Sequence, residues 1–373
     1  MGQIQKVIAQ TDNFPDGQKL TQVRVTVAGD VDPESLRVEG RKILAARKEE
    51  NTILLSLEPE ALIPPPPKKE KPSANGSHSG TPDLPPAIRL VPKATVVMEG
   101  KAYPSSETWE PVVEEFQKFS LEGMGYNLFV PRLEPEKTYP LVLFLHDAGA
   151  CGPDVKTTLS QGNGAVSFAE PQWQKEHPCF VLAPQIDKGP QGPMTHDDFT
   201  VTEDLDKVAR ILFSVLDQYP VDRTQVYATG QSMGCMASCE LNIRYPQLFA
   251  ASLLVAGQWD PELMAASCAQ GRFWILVSEG DSKALPGMNA VTAAMERRGA
   301  KVGRYRWDAK EPLGPPAAKA AEDPVNVRYT VLTGDSVLPE GAKFFPGACH
   351  MATWPVVYQI RELKEWLFSC KKE

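Results

Sequence analysis

The sequence predicts an α/β protein with a mostly parallel central sheet, preceded by a small all-β unit. Three observations predict it. Beyond about residue 117, short continuous apolar runs alternate with segments of helical period, the pattern of a sheet covered by helices on both faces. The first sixty residues instead carry period-two alternation and turn signals, with no segment of helical period. Between them lies a stretch dominated by proline, serine, glycine and lysine. A length of 373 residues accommodates two such units.

In chain order, residues 19–31 place Val23, Val25 and Val27 at period two, and residues 52–57 form a second β-rich run. Pro15-Asp16-Gly17 and Asp30-Val31-Asp32-Pro33 punctuate them as turns. Residues 63–86 bury too little apolar surface to offset their ordering entropy. Residues 87–98 look like a further strand, so 63–86 reads as a long loop or a linker, and the β-unit is assigned to 1–105. The α/β unit is assigned to 106–373. Within it, 141–145, 180–183, 225–228, 251–255 and 273–277 read as strands. A capping-box pattern at Thr200 and Glu203 opens a helix with Leu205, Val208, Leu212 and Val215 on one face. A helix over 234–245 ends at Pro246, and a last helix carries Val356, Ile360, Leu363 and Leu367.

The composition, 42% hydrophobic and 23% charged, is that of a globular protein with a real core. A net charge of -8 with no basic block argues against nucleic acid and anionic membranes as partners. No apolar run approaches the roughly 18 residues that span a bilayer. The N-terminus has no apolar signal-peptide core, so the expectation is a cytoplasmic protein, or one whose leader has been removed. Seven cysteines, an odd number in a long chain, read as reduced thiols.

Gly230-Gln231-Ser232-Met233-Gly234 matches G-x-S-x-G. The pattern alone is common. Its setting, after one predicted strand and before a predicted helix, is that of a nucleophile elbow. A side chain at either glycine would collide with backbone in so tight a turn. A serine hydroxyl is a weak nucleophile and needs a base, itself oriented by an acid. In the α/β-hydrolase fold, to which such elbows belong, the order is Ser, acid, His. Of five histidines, His350 alone follows Ser232. It lies in a small-residue loop between a Phe344-Phe345 strand and the last helix. Asp281, at the end of the 273–277 strand, is the best acid, with Glu279 second and Asp260 third. The amides of Ala148 and Met233 are the expected oxyanion donors. His146, just before the oxyanion loop, reads as structural.

At these residues the C-terminal two-thirds resembles the α/β-hydrolase esterases that include feruloyl and acetyl-xylan esterases, polyhydroxybutyrate-depolymerase-like esterases and prolyl-oligopeptidase-like proteins. The matching blocks are YPLVLFLHDAGACG, NGAVSFAEPQWQKEHPCFVLAPQ, VDRTQVYATGQSMG, YPQLFAASLLVAGQWDP and CHMATWPVVY. The N-terminal unit resembles the immunoglobulin-like domain that precedes some of these enzymes, which implies a role in shaping the site or in assembly. Two departures stand out. Asp147 replaces the usual glycine after His146, and Cys235 replaces a second glycine after Ser-Met-Gly.

The resemblance implies a serine esterase acting on small-molecule or polysaccharide-linked esters through an acyl-enzyme, with no cofactor or metal. Gln231, Gln258, Trp259 and Trp354 are the expected substrate-contacting residues, though either tryptophan also reads as ordinary core. A serine peptidase and a catalytically silent binding protein are the alternatives. Oligomeric state is open.

Overall fold

A computed structural model describes residues 2–63, 84–187, 193–342 and 347–373. Most of the proline-rich stretch and the expected Phe344-Phe345 strand lie outside the described residues. The chain begins with β1 (Gln3–Phe14), β2 (Gly17–Ala28), β3 (Arg37–Val38), β4 (Ile43–Glu49) and β5 (Thr52–Ala61). There follow β6 (Thr95–Met98), β7 (Lys101–Pro104) and β8 (Glu107–Trp109). Among the described residues these make a five-stranded sheet, β4-β5-β2-β1-β8, and a three-stranded one, β3-β6-β7. The expected boundary at residue 105 falls just before β8, which still pairs in parallel with β1.

The second half continues with β9 (Gln117–Leu121), β10 (Met124–Phe129), β11 (Tyr139–Leu145), α1 (Thr157–Ser160), α2 (Pro171–Glu176), β12 (Phe180–Pro184), α3 (Glu203–Gln218) and β13 (Val221–Gln231). Then come α4 (Met233–Arg244), β14 (Ala251–Val255), α5 (Pro261–Cys268), β15 (Phe273–Ser278), α6 (Ala284–Arg297) and β16 (Val302–Trp307). The chain closes with α7 (Gly314–Glu322), β17 (Val327–Leu332), α8 (Ala348–Val357) and α9 (Arg361–Ser369). Nine strands form one sheet in the order β16-β17-β15-β14-β13-β11-β12-β10-β9. From β12 to β16 neighbouring strands are parallel; β10 and β9 join antiparallel at one edge. Alternate residues of β11 serve opposite faces. Leu141, Leu143 and Leu145 pack with α3, while Val142 and Phe144 pack toward α8 and α9. The N-terminal strands have their own core, built on Val7, Val23, Val25, Ile53, Leu55 and Val96.

Three local expectations differ from the structure. Residues 84–94 belong to no strand, and only Thr95–Met98 joins a sheet. Their amides go elsewhere: Ala87 N–H donates to Cys151 O and Leu90 N–H to Leu62 O. The capping box before α3 does not form; Thr202 is the cap residue, and the Thr200 hydroxyl donates to Asp198 at 2.6 Å. The last helix is two helices, broken at an extended Ile360. All seven cysteines are buried. Among the described residues no helix is long and apolar enough to cross a membrane.

A buried polar cluster joins the two halves. Arg89, on the 84–94 segment, pairs with Glu110 and donates to Ser160 Oγ (2.7 Å) and Gln18 Oε1 (2.9 Å). Lys156 Nζ meets the other oxygen of Glu110 at 2.5 Å. Burial pushes the Glu110 carboxyl up, but Lys156 and Arg89 outweigh it and leave it below its ordinary value. Both Arg89 and Glu110 side chains are only 4% exposed. Removing one partner of a buried pair strands the other, so Arg89→Ala is expected to cost about 3 to 5 kcal/mol of stability. Urea unfolding would measure it, and an unchanged midpoint would show the pair to be dispensable.

Candidate active site

Ser232 stands between the last residue of β13 and the first of α4, with φ 51° and ψ -118°. Few non-glycine residues adopt positive φ, because the side chain crowds the backbone. Neighbouring hydrogen bonds hold it there: Ser232 N–H donates to Val255 O, and Met236 N–H to Ser232 O, both at 3.0 Å. The flanking glycines are required. A Cβ on Gly234 would lie 1.9 Å from Leu145 O, and one on Gly230 would lie 2.6 Å from Gly234 backbone. Cys235 is accommodated by a glycine across from it, since a Cβ on Gly257 would meet Cys235 Sγ at 2.5 Å.

His350 lies in the first turn of α8, after Gly347 in the left-handed region. Its Nε2 is 2.9 Å from Ser232 Oγ, and its Nδ1 is 2.5 Å from Asp281 Oδ2. An ionised carboxylate only accepts, so Nδ1 carries the proton and Nε2 keeps its lone pair for the serine hydroxyl. Asp281 lies three residues beyond the end of β15, and its side chain is 3% exposed. Its Oδ1 accepts the Lys283 and Ala284 amides at 3.0 and 2.9 Å. Burial works to raise this carboxyl, but the bond to His350 and those two amides leave it below its ordinary value. The rival acids are engaged elsewhere. Glu279 binds Arg306 and the Gly334 amide, each at 2.7 Å, and Asp260 caps α5.

On the other side of Ser232 lies a short turn, residues 148–150, capped by Asp147. Ala148 and Met233 are each the first residue of a helical turn, where the N–H has no partner within its own turn. Both line the cavity that Ser232 opens into. His146 is fully buried. It accepts the Ile186 N–H on Nε2 (3.0 Å), which leaves Nδ1–H to donate to Asp147 O (2.7 Å). Burial keeps the imidazole below its ordinary pKa, and the Asp147 carbonyl partly opposes this.

The cavity measures about 530 Å³, of the order typical of small-ligand sites, and Ser232, Asp281 and His350 all reach it. Its walls are mainly apolar: Met233, Met236, Ala256, Met351 and Trp354. Trp354 meets the His350 ring edge-to-face at 5.3 Å. Gln258 also lines it, and its amide donates to Asp197 at 3.1 Å. Asp197 in turn pairs with Lys283 across the rim. Two expected contacts are not brought to the wall. Trp259 is 1% exposed; it packs in the cluster beneath α4 and α5, donating Nε1–H to Glu240 at 3.1 Å. Gln231 lies behind the wall, bonded to Asp147 and Gln161. Trp259→Phe is therefore expected to lower stability by about 1 to 3 kcal/mol and leave KM unchanged; a several-fold rise in KM would restore it to the pocket. Leu84 is a wall residue that sequence reading missed. It follows a proline-rich stretch with no periodicity, so no local pattern marks it.

No family model matches the sequence, and no curated protein matches it. Among solved structures, a thermostable esterase is 22% identical with a TM-score of 0.76, covering 99% of this chain and 100% of that one. A ferulic acid esterase is 13% identical with a TM-score of 0.45, covering 68% of this chain and 98% of that one. An S954A mutant of a feruloyl esterase module from Clostridium thermocellum, complexed with sinapinate, is 14% identical with a TM-score of 0.41; 66% of this chain and 88% of that one are covered. The first of these likenesses runs the length of both chains and, with the sheet order above, shows the α/β-hydrolase fold preceded by an antiparallel β region.

Proposed function

We propose that this chain is a serine carboxylesterase, with Ser232, His350 and Asp281 as its triad. The observation that carries the reading is the unbroken hydrogen-bond chain from Asp281 through His350 to Ser232, ending in a mainly apolar cavity. Ser232 Oγ attacks the ester carbonyl while His350 Nε2 takes its proton. Asp281 holds the imidazole and stabilises its cation. The amides of Ala148 and Met233 receive the tetrahedral oxyanion. His350 then protonates the leaving alcohol, and a water repeats the sequence on the acyl-enzyme.

The apolar walls suit small or aromatic acyl groups, among which feruloyl or acetyl esters of plant polysaccharide are the proposed substrates. Met236, Met351 and Trp354 supply the surface that an aromatic acid would cover. The β region, assigned to about residues 1–105, is proposed to be an immunoglobulin-like unit that fixes one edge of the site. Leu84, which lies within that assigned region and reaches the cavity, supports that reading.

Turnover of p-nitrophenyl acetate and methyl hydroxycinnamates tests the proposal, with Ser232→Ala as control. Ester turnover that the variant abolishes supports it. Equal turnover by the variant would remove Ser232 from the chemistry. Cleavage of peptide amides without esters would turn the reading to a peptidase, and no turnover at all to a binding protein.

A further inference from the structure

The turn carrying the Ala148 amide is held from an unusual direction. The peptide unit between Asp147 and Ala148 is planar and trans, so its C=O and N–H point opposite ways. Its C=O, on Asp147, accepts from His146 Nδ1 (2.7 Å) and from the Ala150 N–H (3.2 Å). These bonds set the direction of the Ala148 N–H. The Asp147 side chain closes the turn from the other side. Its Oδ1 accepts the Gly149 N–H at 2.8 Å, and its Oδ2 accepts Gln231 Nε2 at 3.0 Å. Gln231 is fully buried and belongs to the elbow itself. The same Nε2 donates to Gln161 Oε1 at 2.8 Å. Gln161 ends α1, whose Ser160 is bonded to Gln18 and Arg89.

We propose that Asp147, Gln231 and Gln161 form a positioning relay that fixes the Ala148 amide relative to Ser232. The inference rests on the esterase reading above and deepens it. The residue that replaces the glycine usual at this place locks the oxyanion turn to the nucleophile's own strand. Asp147 acts through the Ala148 amide and touches no reacting atom in this assignment. Its carboxylate charge is not what the relay needs, because a negative charge near a developing oxyanion opposes it. What the relay needs is two acceptor contacts in fixed directions.

Two orphan atoms sharpen the test. Gln231 Oε1 and Gln161 Nε2 are buried with no partner. In Asp147→Asn, Oδ1 keeps the Gly149 amide while the new Nδ2 faces Gln231. Rotating both glutamine amides by half a turn then presents Gln231 Oε1 to Nδ2 and Gln161 Nε2 to Gln231 Oε1. The relay survives with its donors reversed. Asp147→Ala loses both contacts and admits no such repair.

The experiment compares kcat and KM for p-nitrophenyl acetate in the full chain, wild type, Ser232→Ala, Asp147→Ala, Asp147→Asn and Gln161→Ala, with a thermal melt of each. Asp147→Ala should lower kcat by about 10- to 100-fold with KM within about two-fold, the mark of a misplaced oxyanion donor. Asp147→Asn should recover most of that loss. Gln161→Ala should lower kcat less, and should add little to Asp147→Ala, because both cut one relay. If Asp147→Ala does not fold, Gln161→Ala alone carries the same kcat signature. If Ser232→Ala is silent but Asp147→Ala and Gln161→Ala keep the wild-type kcat, the relay is wrong and the esterase reading stands. A loss in Asp147→Asn as large as in Asp147→Ala would also overturn it, since charge rather than contact would then be at work. If Ser232→Ala turns over like wild type, both fall.

Discussion

Ser232→Ala is expected to lower kcat for esters by about 10⁴- to 10⁶-fold and to leave the fold intact. The alanine removes the only atom that forms the acyl bond, and His350 cannot substitute for it from behind the hydroxyl. Whatever rate remains comes from water held near the Ala148 and Met233 amides. Stability responds differently. The hydrogen bonds around Ser232, which hold its φ at 51°, are all backbone bonds and are expected to hold a substituted residue there too. Alanine bears the same strain as serine, so its melting temperature should match the wild type. Glycine pays no such penalty at positive φ, so Ser232→Gly should melt higher while remaining inactive. A Ser232→Gly protein that melts lower than wild type would mean the elbow is not strained.

The second large effect is Asp281→Asn, for which a fall in kcat of about 10⁴-fold is expected. The carboxylate accepts from Nδ1 and thereby keeps Nε2 free to accept from Ser232. An asparagine whose Oδ1 stays on the Lys283 and Ala284 amides turns its NH₂ toward Nδ1. The imidazole must then carry its proton on Nε2, where it faces the serine with a donor instead of an acceptor. Glu279→Gln is the matched control. Glu279 is bonded to Arg306 and the Gly334 amide, so its loss should leave kcat nearly unchanged. Equal losses in the two variants would refute the assignment of the acid. The stability sign follows from the lowered carboxyl. A group held below its ordinary 3.8 in the folded protein contributes stability above that value and loses it as pH falls through the folded value. The stability gap between wild type and Asp281→Asn should therefore close on acidification, readable by urea unfolding across the carboxylate range.

Much of this protein is visible in its local patterns. The buried runs at 141–145, 251–255 and 273–277 each became a strand of the large sheet, because an uninterrupted apolar run has few places to go except between two helical layers. Gly230 and Gly234 marked the elbow, because only a residue without Cβ fits against the Leu145 carbonyl and the helix start. The scarcity of histidines left His350 alone after Ser232. Of the strand expected over 87–98, periodicity was right for Thr95–Met98 and misjudged 87–94, where Arg89 is drawn into a polar cluster with Gln18, Glu110 and Ser160 instead of a sheet.

What the chain determined by itself was therefore the alternation of elements, the strand–turn–helix at Ser232 and His350 as the one histidine that follows it. These depend on burial period, on steric room and on count, all of which are written locally. The hydrogen bond of His350 to Asp281 and of Glu279 to Arg306, the burial of Trp259 away from the cavity, the reach of Leu84 into it and the bond of Gln231 to Asp147 were set by the tertiary structure. Each depends on the direction of one lone pair or one side chain relative to atoms remote in sequence, and folding sets that direction only when the whole sheet has closed.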